Sequence, residues 1–272
     1  MTTATGSPRP LALITGASAG IGAAFARAYA AKGYDLALVA RRADRLQALA
    51  AELSAAHRIE AFAIPADLAA FEAHAAVLSA VAARGRGVDA LVNNAGFSIA
   101  QSFVGVPWAR QRDFLMTLVV TACGLAHGVI PGMVERRRGS IINVGSLAAF
   151  APGVAGHSLY PGAKSLMVSW SQSLAAELKG AGVKVTVTCP GFTLTEFAEA
   201  NGTKAIMDAA PRRLFQTAEQ VVATTLRAND RGQVVIVPGL HNKLAATILR
   251  YVPQPLLIAI LSRASAKYHL VE

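Results

Sequence analysis

The chain has 272 residues, 53% hydrophobic and only 15% charged, enough apolar mass for a sizeable core and not the composition of a disordered chain. Its two cysteines, Cys123 and Cys189, stand far apart in apolar segments, which excludes a disulfide framework or a zinc spacing and leaves reduced, packed thiols. A formal net charge of +10 suits nucleic acid, an anionic surface or a phosphorylated ligand, but the clusters Arg41/Arg42/Arg45, Arg136/Arg137/Arg138 and Arg212/Arg213 lack the interleaved aromatics of a nucleic-acid binder.

No nucleic-acid partner and no metal are therefore expected, and Arg136 to Arg138 read as a solvated helix C-terminus favoured by the helix dipole. The opening residues carry no charged stretch followed by an apolar core, so no secretory signal is read and a cytoplasmic location is expected.

Apolar runs predict strands at Leu11–Thr15, Asp35–Ala40, Ala61–Ile64, Ala90–Asn93, Ile141–Gly145, Val183–Cys189 and Val234–Val237, with Ala-rich helical segments between them. Strand and helix in alternation imply right-handed crossovers, hence an α/β fold: a single doubly wound domain around a central parallel sheet of about seven strands. No Pro/Ser-rich linker divides it. The catalytic unit is placed at 1–239 and a C-terminal amphipathic helical extension of the same domain at 240–272. Ligands of such folds bind at the carboxyl ends of the strands, where the motifs fall.

The first strand runs into Gly16, Ala17, Ser18, Ala19, Gly20, Ile21 and Gly22 and then an Ala-rich helix. Glycines there let the backbone approach a pyrophosphate, and the helix N-terminus offers it free N–H groups; the competing reading is a merely tight turn. The second strand ends at Arg41 and Arg42, where dinucleotide-binding units usually carry an acidic residue for the ribose 2′-hydroxyl. Guanidinium groups bind a 2′-phosphate instead, which favours NADP(H) over NAD(H), unless both arginines only open the next helix.

Ser146 follows the fifth strand at the sheet's carboxyl edge. Tyr160 and Lys164, four residues apart, share one helix face, and an ammonium held beside a phenol draws its pKa down from about 10 towards the range of a general acid/base. Taken alone, the Tyr160/Lys164 spacing is better explained by a solvated helix face, and Ser146 has an ordinary strand-end or turn serine as its alternative. Phe97, Phe150, His157, Leu159, Phe192 and Phe197 flank this region and suggest an apolar pocket, each with core packing as its alternative. In the tail, Leu244 to Leu261 is largely apolar but interrupted by Arg250, Pro253 and Pro255, which speaks against a membrane span. Two amphipathic pieces remain. A lid or interface role is preferred for them over lying on an anionic bilayer beside Lys243, Arg250, Arg263 and Lys267.

Thr15 to Gly22, Asn93-Asn94-Ala95-Gly96, Ser146, Tyr160xxxLys164 and Pro190-Gly191 followed by Thr195 together resemble the short-chain dehydrogenase/reductase family, in family order over roughly residues 10 to 200. The resemblance implies a Rossmann-type domain with Asp67 at the adenine and Leu68 beside it. It puts Asn93, Ala95 and Gly96 in the cofactor cleft, with Asn94 tying neighbouring strands together. Ser146 would hold the substrate oxygen, Tyr160 would pass its proton, and Lys164 would lower the tyrosine pKa and bind the nicotinamide ribose. Pro190, Gly191, Thr193 and Thr195 would fix the carboxamide.

The expected activity is NADP(H)-dependent interconversion of small-molecule ketones and secondary alcohols, apolar and including bulky ones, in a homo-oligomer (dimer or tetramer). The alternatives are a nucleotide-binding regulatory or scaffold protein with impaired catalysis, and a membrane-surface lipid or steroid reductase. One departure from the family pattern stands out. Leu118 or Val119 occupies the place of a helix asparagine that completes the family's proton relay, and Thr117 or Thr121 would have to hold a substitute water if they do more than pack the helix.

Overall fold

A computed structural model describes residues 9–153, 155–196 and 211–265. Runs of aliphatic residues form strands where both faces are buried: β1 (Leu11–Thr15), β2 (Asp35–Ala40), β3 (Ala61–Pro65), β4 (Ala90–Asn93), β5 (Gly139–Val144) and β6 (Val183–Thr188). Two-residue strands β7 (Thr193–Leu194) and β8 (Gln216–Thr217) pair only with each other, and β9 (Val235–Ile236) closes the main sheet. That sheet has seven strands, all parallel, in the order β3-β2-β1-β4-β5-β6-β9. The strand order reverses between β1 and β4, so their carboxyl ends open the crevice where doubly wound sheets bind ligands.

The crossovers are α1 (Gly20–Ala31), α2 (Ala43–His57), α3 (Ala73–Ala82), α4 (Trp108–Leu115), α5 (Thr121–Glu135), α6 (Tyr160–Glu177) and α7 (Ala218–Asp230). A π turn at Met116–Val120 joins α4 to α5. Helix α7 starts on a capping box in which Thr217 Oγ1 accepts from Gln220 N (3.2 Å) and Gln220 Oε1 accepts from Thr217 N (3.0 Å), worth about 1 kcal/mol. After β9 come α8 (Leu240–Tyr251) and α9 (Gln254–Ser265).

Alternate residues of each strand feed two cores. Ala12 and Ile14 of β1 meet Phe25, Tyr29, Leu46, Leu53 and Val222 from α1, α2 and α7 on one face. Leu11 and Leu13 meet Val77, Leu125, Met133 and Leu174 from α3, α5 and α6 on the other. Each such large side chain contributes about 1.5–3 kcal/mol relative to exposure. The continuous helix Trp108–Glu135 is long and apolar enough to cross a membrane by length and composition, yet its Leu125, Ala126, Val129 and Met133 belong to this second core.

One expectation changes and another gains detail. Arg136 to Arg138 are exposed at the end of α5, as expected, but they also find partners: Arg138 pairs with Asp89 at 3.0 Å and Arg136 donates to Val88 O at 2.8 Å, because the helix end falls beside the amino end of β4. Strand β5 begins at Gly139 rather than Ile141, since Gly139 N reaches Gly182 O and Ser140 N reaches Asp89 O and so extend the ladder.

The extension is fastened to the turns after β5 and β6. Asn242 of α8 is buried and donates to Gln216 Oε1 (3.0 Å) and Pro238 O (2.9 Å). A Cβ on Gly191 would lie 2.2 Å from Asn242 Oδ1, so this glycine is needed for close approach. Farther along α8, the Arg250 guanidinium lies 4.1 Å above the Phe150 ring, just past Ser146. Lys267 and Phe197 lie outside the described residues, and of Arg263 only the helical backbone is described.

Candidate active site

The loop from β1 to α1 is shaped for a close-packed anion. Gly16 has φ +64°, and a Cβ on Gly22 would sit 2.2 Å from Gly16 O. Helix α1 has neither a side-chain cap nor an acidic residue in its first turn, so its terminal N–H groups and positive dipole end are available to a pyrophosphate. Asn94 closes the floor of this loop: its Nδ2 donates to Thr15 O (2.9 Å) and Gly16 O (3.2 Å), and its backbone N–H donates to Thr15 Oγ1 (2.9 Å). It joins the ends of β1 and β4.

Past β2 the two arginines separate. Arg41 is exposed and has no hydrogen-bond or ion-pair partner among the described residues. Arg42 donates to Ser18 Oγ through Nε (3.3 Å) and Nη2 (3.1 Å), and to Glu196 at 2.9 Å. Arg45 reaches the same carboxylate at 2.7 Å, and these guanidinium hydrogen bonds hold Glu196 below the usual carboxylate range. A Cβ on Gly20 would stand 3.0 Å from Thr195 Cγ2, so the segment after β7 lies against the N-terminus of α1. Ser18, Gly20, Arg42 and Thr195, four residues singled out for a cofactor, thus converge; Glu196 joins them without having been anticipated. Only an ion pair 154 residues apart in sequence reveals it.

Asn93 has a structural part as well as its place at the cleft. It is buried, its Nδ2 donates to Asn143 Oδ1 (3.0 Å) and Ala122 O (3.2 Å), and Asn143 in turn donates to Ser171 Oγ (2.9 Å). Parallel pairing of β4 with β5 sets Asn93 beside Asn143, so its amide stitches the sheet to α5 and α6 while the residue also borders the cavity behind Lys164. Ala95 N donates to Thr15 Oγ1, and the Cβ position of Gly96 lies 3.3 Å from Leu118 Cγ. Asp67 is exposed and its Oδ1 accepts from Ala69 N; Leu68 is buried, and its carbonyl accepts from Thr121 Oγ1 (2.9 Å). Thr193 is buried and donates to Gly191 O (3.1 Å), and Pro190 O accepts from Leu147 N.

Ser146 lies just beyond β5 and caps a 3-10 turn, Leu147–Phe150, accepting from Ala148 N at 3.1 Å. Tyr160 and Lys164 occupy the first turns of α6. Lys164 Nζ is buried, donates to Val144 O at 2.8 Å and lies 5.8 Å from the Tyr160 ring centroid. The expected mutual tuning is overridden by desolvation. Burial pushes the Tyr160 phenol up, opposed by its hydrogen bond with Ser146, and burial pulls the Lys164 ammonium down to about 8. The ammonium itself is directed at the Val144 carbonyl. Cys189 joins this centre unannounced: burial raises its thiol to about 11, with a counteracting hydrogen bond from the Ser146 backbone.

Behind Lys164 lies a cavity lined by Thr15, Asn93, Thr117, Leu118, Thr121 and Lys164. Leu118, not Val119, borders it, and Thr121 has its hydroxyl proton committed to Leu68 O. In front, Phe97 meets Phe114 edge-on at 5.6 Å, and Phe114 lies 6.3 Å from the Tyr160 ring. Leu159 packs in the same cluster, and a second cavity bounded by Ile99, Gln101, Gln111, Ser158 and Tyr160 opens beside it. Phe150 packs instead with Val187 and Cys189, and Phe192 stacks on Phe215 at 5.5 Å. Among the described residues no group of His, Cys, Asp and Glu could hold a metal ion.

Residues 10–206 match the family model described as short chain dehydrogenase. Serine 3-dehydrogenase of Rhizobium radiobacter is 36% identical over 186 residues, 68% of this chain and 72% of that one. The short-chain dehydrogenase from Sphingobium yanoikuyae in complex with NADPH is 33% identical with a TM-score of 0.79, covering 91% of this chain and 95% of its own. The bulky-bulky ketone specific alcohol dehydrogenase from Comamonas testosteroni is 28% identical with a TM-score of 0.75, covering 91% and 96%.

Proposed function

This chain belongs to the short-chain dehydrogenase/reductase family, and on that premise we propose that it interconverts ketones and secondary alcohols with NADP(H), taking an apolar and bulky substrate. The observation that carries the reading is the meeting of Ser146, Tyr160 and Lys164 at the carboxyl edge of β5, in a chain whose β1–α1 loop admits no Cβ at Gly16 or Gly22. The residues present fit the cofactor: the Gly16–Gly22 cradle and open α1 terminus suit a pyrophosphate, and Arg41 and Arg42 suit a 2′-phosphate. When bound, NADP(H) supplies or accepts the hydride.

The protein's own part is the proton and the orientation. Ser146 Oγ donates a hydrogen bond to the substrate carbonyl oxygen and holds it near the phenol. Tyr160, whose phenol burial keeps protonated, delivers the proton to that oxygen in reduction and must be a phenolate to take it back in oxidation. Lys164 balances the phenolate charge and turns its remaining N–H donors to the ribose. The wall of Phe97, Phe114 and Leu159 excludes water and receives an apolar substituent. The similarity to a bulky-bulky ketone enzyme and to an NADPH complex supports both parts of the reading.

The test is Tyr160→Phe, assayed against a ketone series graded by chain length and ring size. Loss of turnover with NADPH binding retained is expected, and retained turnover overturns the assignment. A second reading, a nucleotide-binding regulator with impaired catalysis, draws on Leu118 in the place of the family's asparagine. NADPH binding without oxidation across the whole ketone series would favour it.

A further inference from the structure

We propose that the outer surface of α8 and α9 docks on an anionic lipid bilayer. The inference stands on that surface alone, whatever the catalytic reading. On α8, Leu240, Leu244, Ile248 and Tyr251 recur at the spacing of a single helix face, and all are exposed, Leu240 by 84% and Tyr251 by 81%. The opposite face, through Asn242 and Ala246, is the one packed on the protein. Helix α9 goes further. Leu257 is buried, whereas Leu256, Ile258 and Ile260 are exposed and, at about 100° per residue, do not share one face. A helix apolar on several sides is stable in a core or in lipid, not in water.

Charge selects the occupant. From Arg231 to Val271 the chain has Arg231, Lys243, Arg250, Arg263 and Lys267 and no Asp or Glu. Neither Lys243 nor Arg250 has a carboxylate partner among the described residues. Lys243 flanks the apolar stripe, and Arg250, whose guanidinium rests on the Phe150 ring, adds positive charge at its rim, since α8 exposes Lys243, Leu244, Thr247, Ile248, Arg250 and Tyr251 together. A second copy is a poor fit: a contact through this face brings together two surfaces that carry basic and no acidic side chains from Arg231 to Val271, in a chain of net charge +10. Anionic headgroups complement the rim while acyl chains receive the stripe.

The geometry is that of a surface helix pair. Each helix has 12 residues, about 18 Å of rise against about 30 Å of hydrocarbon, and the two meet at 117°. They lie along the bilayer and do not cross it. Arg250, over Phe150, puts the docked face next to the turn after Ser146, on the side from which a substrate dissolved in the bilayer would arrive.

Flotation of the full chain with phosphatidylcholine vesicles, with and without phosphatidylglycerol, tests this. Binding to the anionic vesicles only, and release by salt, is expected. L244E and I248E should each weaken the partition about tenfold or more, and K243Q about fivefold, at unchanged melting temperature. Should the glutamate variants fail to fold, Y251W carries the test: its emission should shift to the blue and be quenched by brominated lipid when anionic vesicles are added. Flotation with neither vesicle, or equally with both, overturns the proposal. So does a homo-oligomer that L244E splits in light scattering, which would make a second copy the occupant.

Discussion

At the amino ends of the strands, charged side chains are paired off. Asp35 of β2 binds Arg86 at 2.8 Å, Asp89 before β4 binds Arg138 at 3.0 Å, and Asp89 Oδ2 also accepts from Leu11 N at 2.9 Å. At the carboxyl ends several such groups are left available, although Arg42 and Arg45 share Glu196. Arg41 has no partner among the described residues, Lys164 is buried against a carbonyl with no carboxylate, and α1 begins without a cap. The contrast separates two uses of charge: at the amino ends a carboxylate answers each of these guanidinium groups and holds strands together, and at unanswered groups such as Arg41 and Lys164 an incoming anion or developing charge takes that place. Substitutions at the two edges should therefore separate stability from activity.

The largest separation is expected at Tyr160. Y160F should lower kcat by roughly a hundredfold to ten-thousandfold with little change in melting temperature, as read by NADPH oxidation and calorimetry. An equal loss of stability would blur the two edges. At the opposite edge, D89N removes the charge that answers Arg138 and should cost about 2–3 kcal/mol of unfolding free energy in denaturant titration, while kcat stays within twofold or so. A catalytic defect there would break the comparison.

Cofactor choice should move next. R41D is expected to weaken NADPH about tenfold to a hundredfold with NADH spared, measured by titrating cofactor fluorescence; an unchanged preference removes Arg41 from the site. Protonation gives a subtler check. Lys164 loses its proton through about pH 8, so kcat/KM for ketone reduction should fall above that pH, and oxidation, which needs the phenolate of a raised Tyr160, should gain in alkali. For stability the sign is opposite. The unfolded lysine holds its proton up to the ordinary value of 10.5 while the folded one has lost it, so Lys164's contribution to stability rises between about pH 8 and that value and is absent from the K164M melting curve. The smallest effect is at Glu196, where E196Q should tighten NADPH about threefold by freeing Arg42 and Arg45 from an exposed pair. Weaker binding would show that the carboxylate helps to hold the cofactor.

Much of this was legible in the sequence. Gly16 and Gly22 mark a backbone approach that no side chain permits, and the i, i+4 spacing of Tyr160 and Lys164 puts them on one helix face. The apolar runs of β1 to β6 locate a parallel sheet to within a residue or two at each end. Less accessible was everything that depends on what lies across the chain. The pairing of the Asn93 amide with Asn143 follows only from strand register. The pairing of Arg138 with Asp89 appears only where the end of α5 meets the amino end of β4. β7 and β8 are too short to show a period and exist through their mutual pairing.

By itself the sequence determined the class of the fold and the chemistry of its edge, because periodicity, glycine punctuation and short-range helix spacing are local properties carried by neighbouring residues. Tertiary structure alone decided the protonation of the site and the partners of its charges. Burial raises Tyr160 and lowers Lys164 against the direction their adjacency suggests, and Glu196 reaches Arg42 across 154 residues. Desolvation and long-range pairing are properties of packing, which only the folded chain possesses.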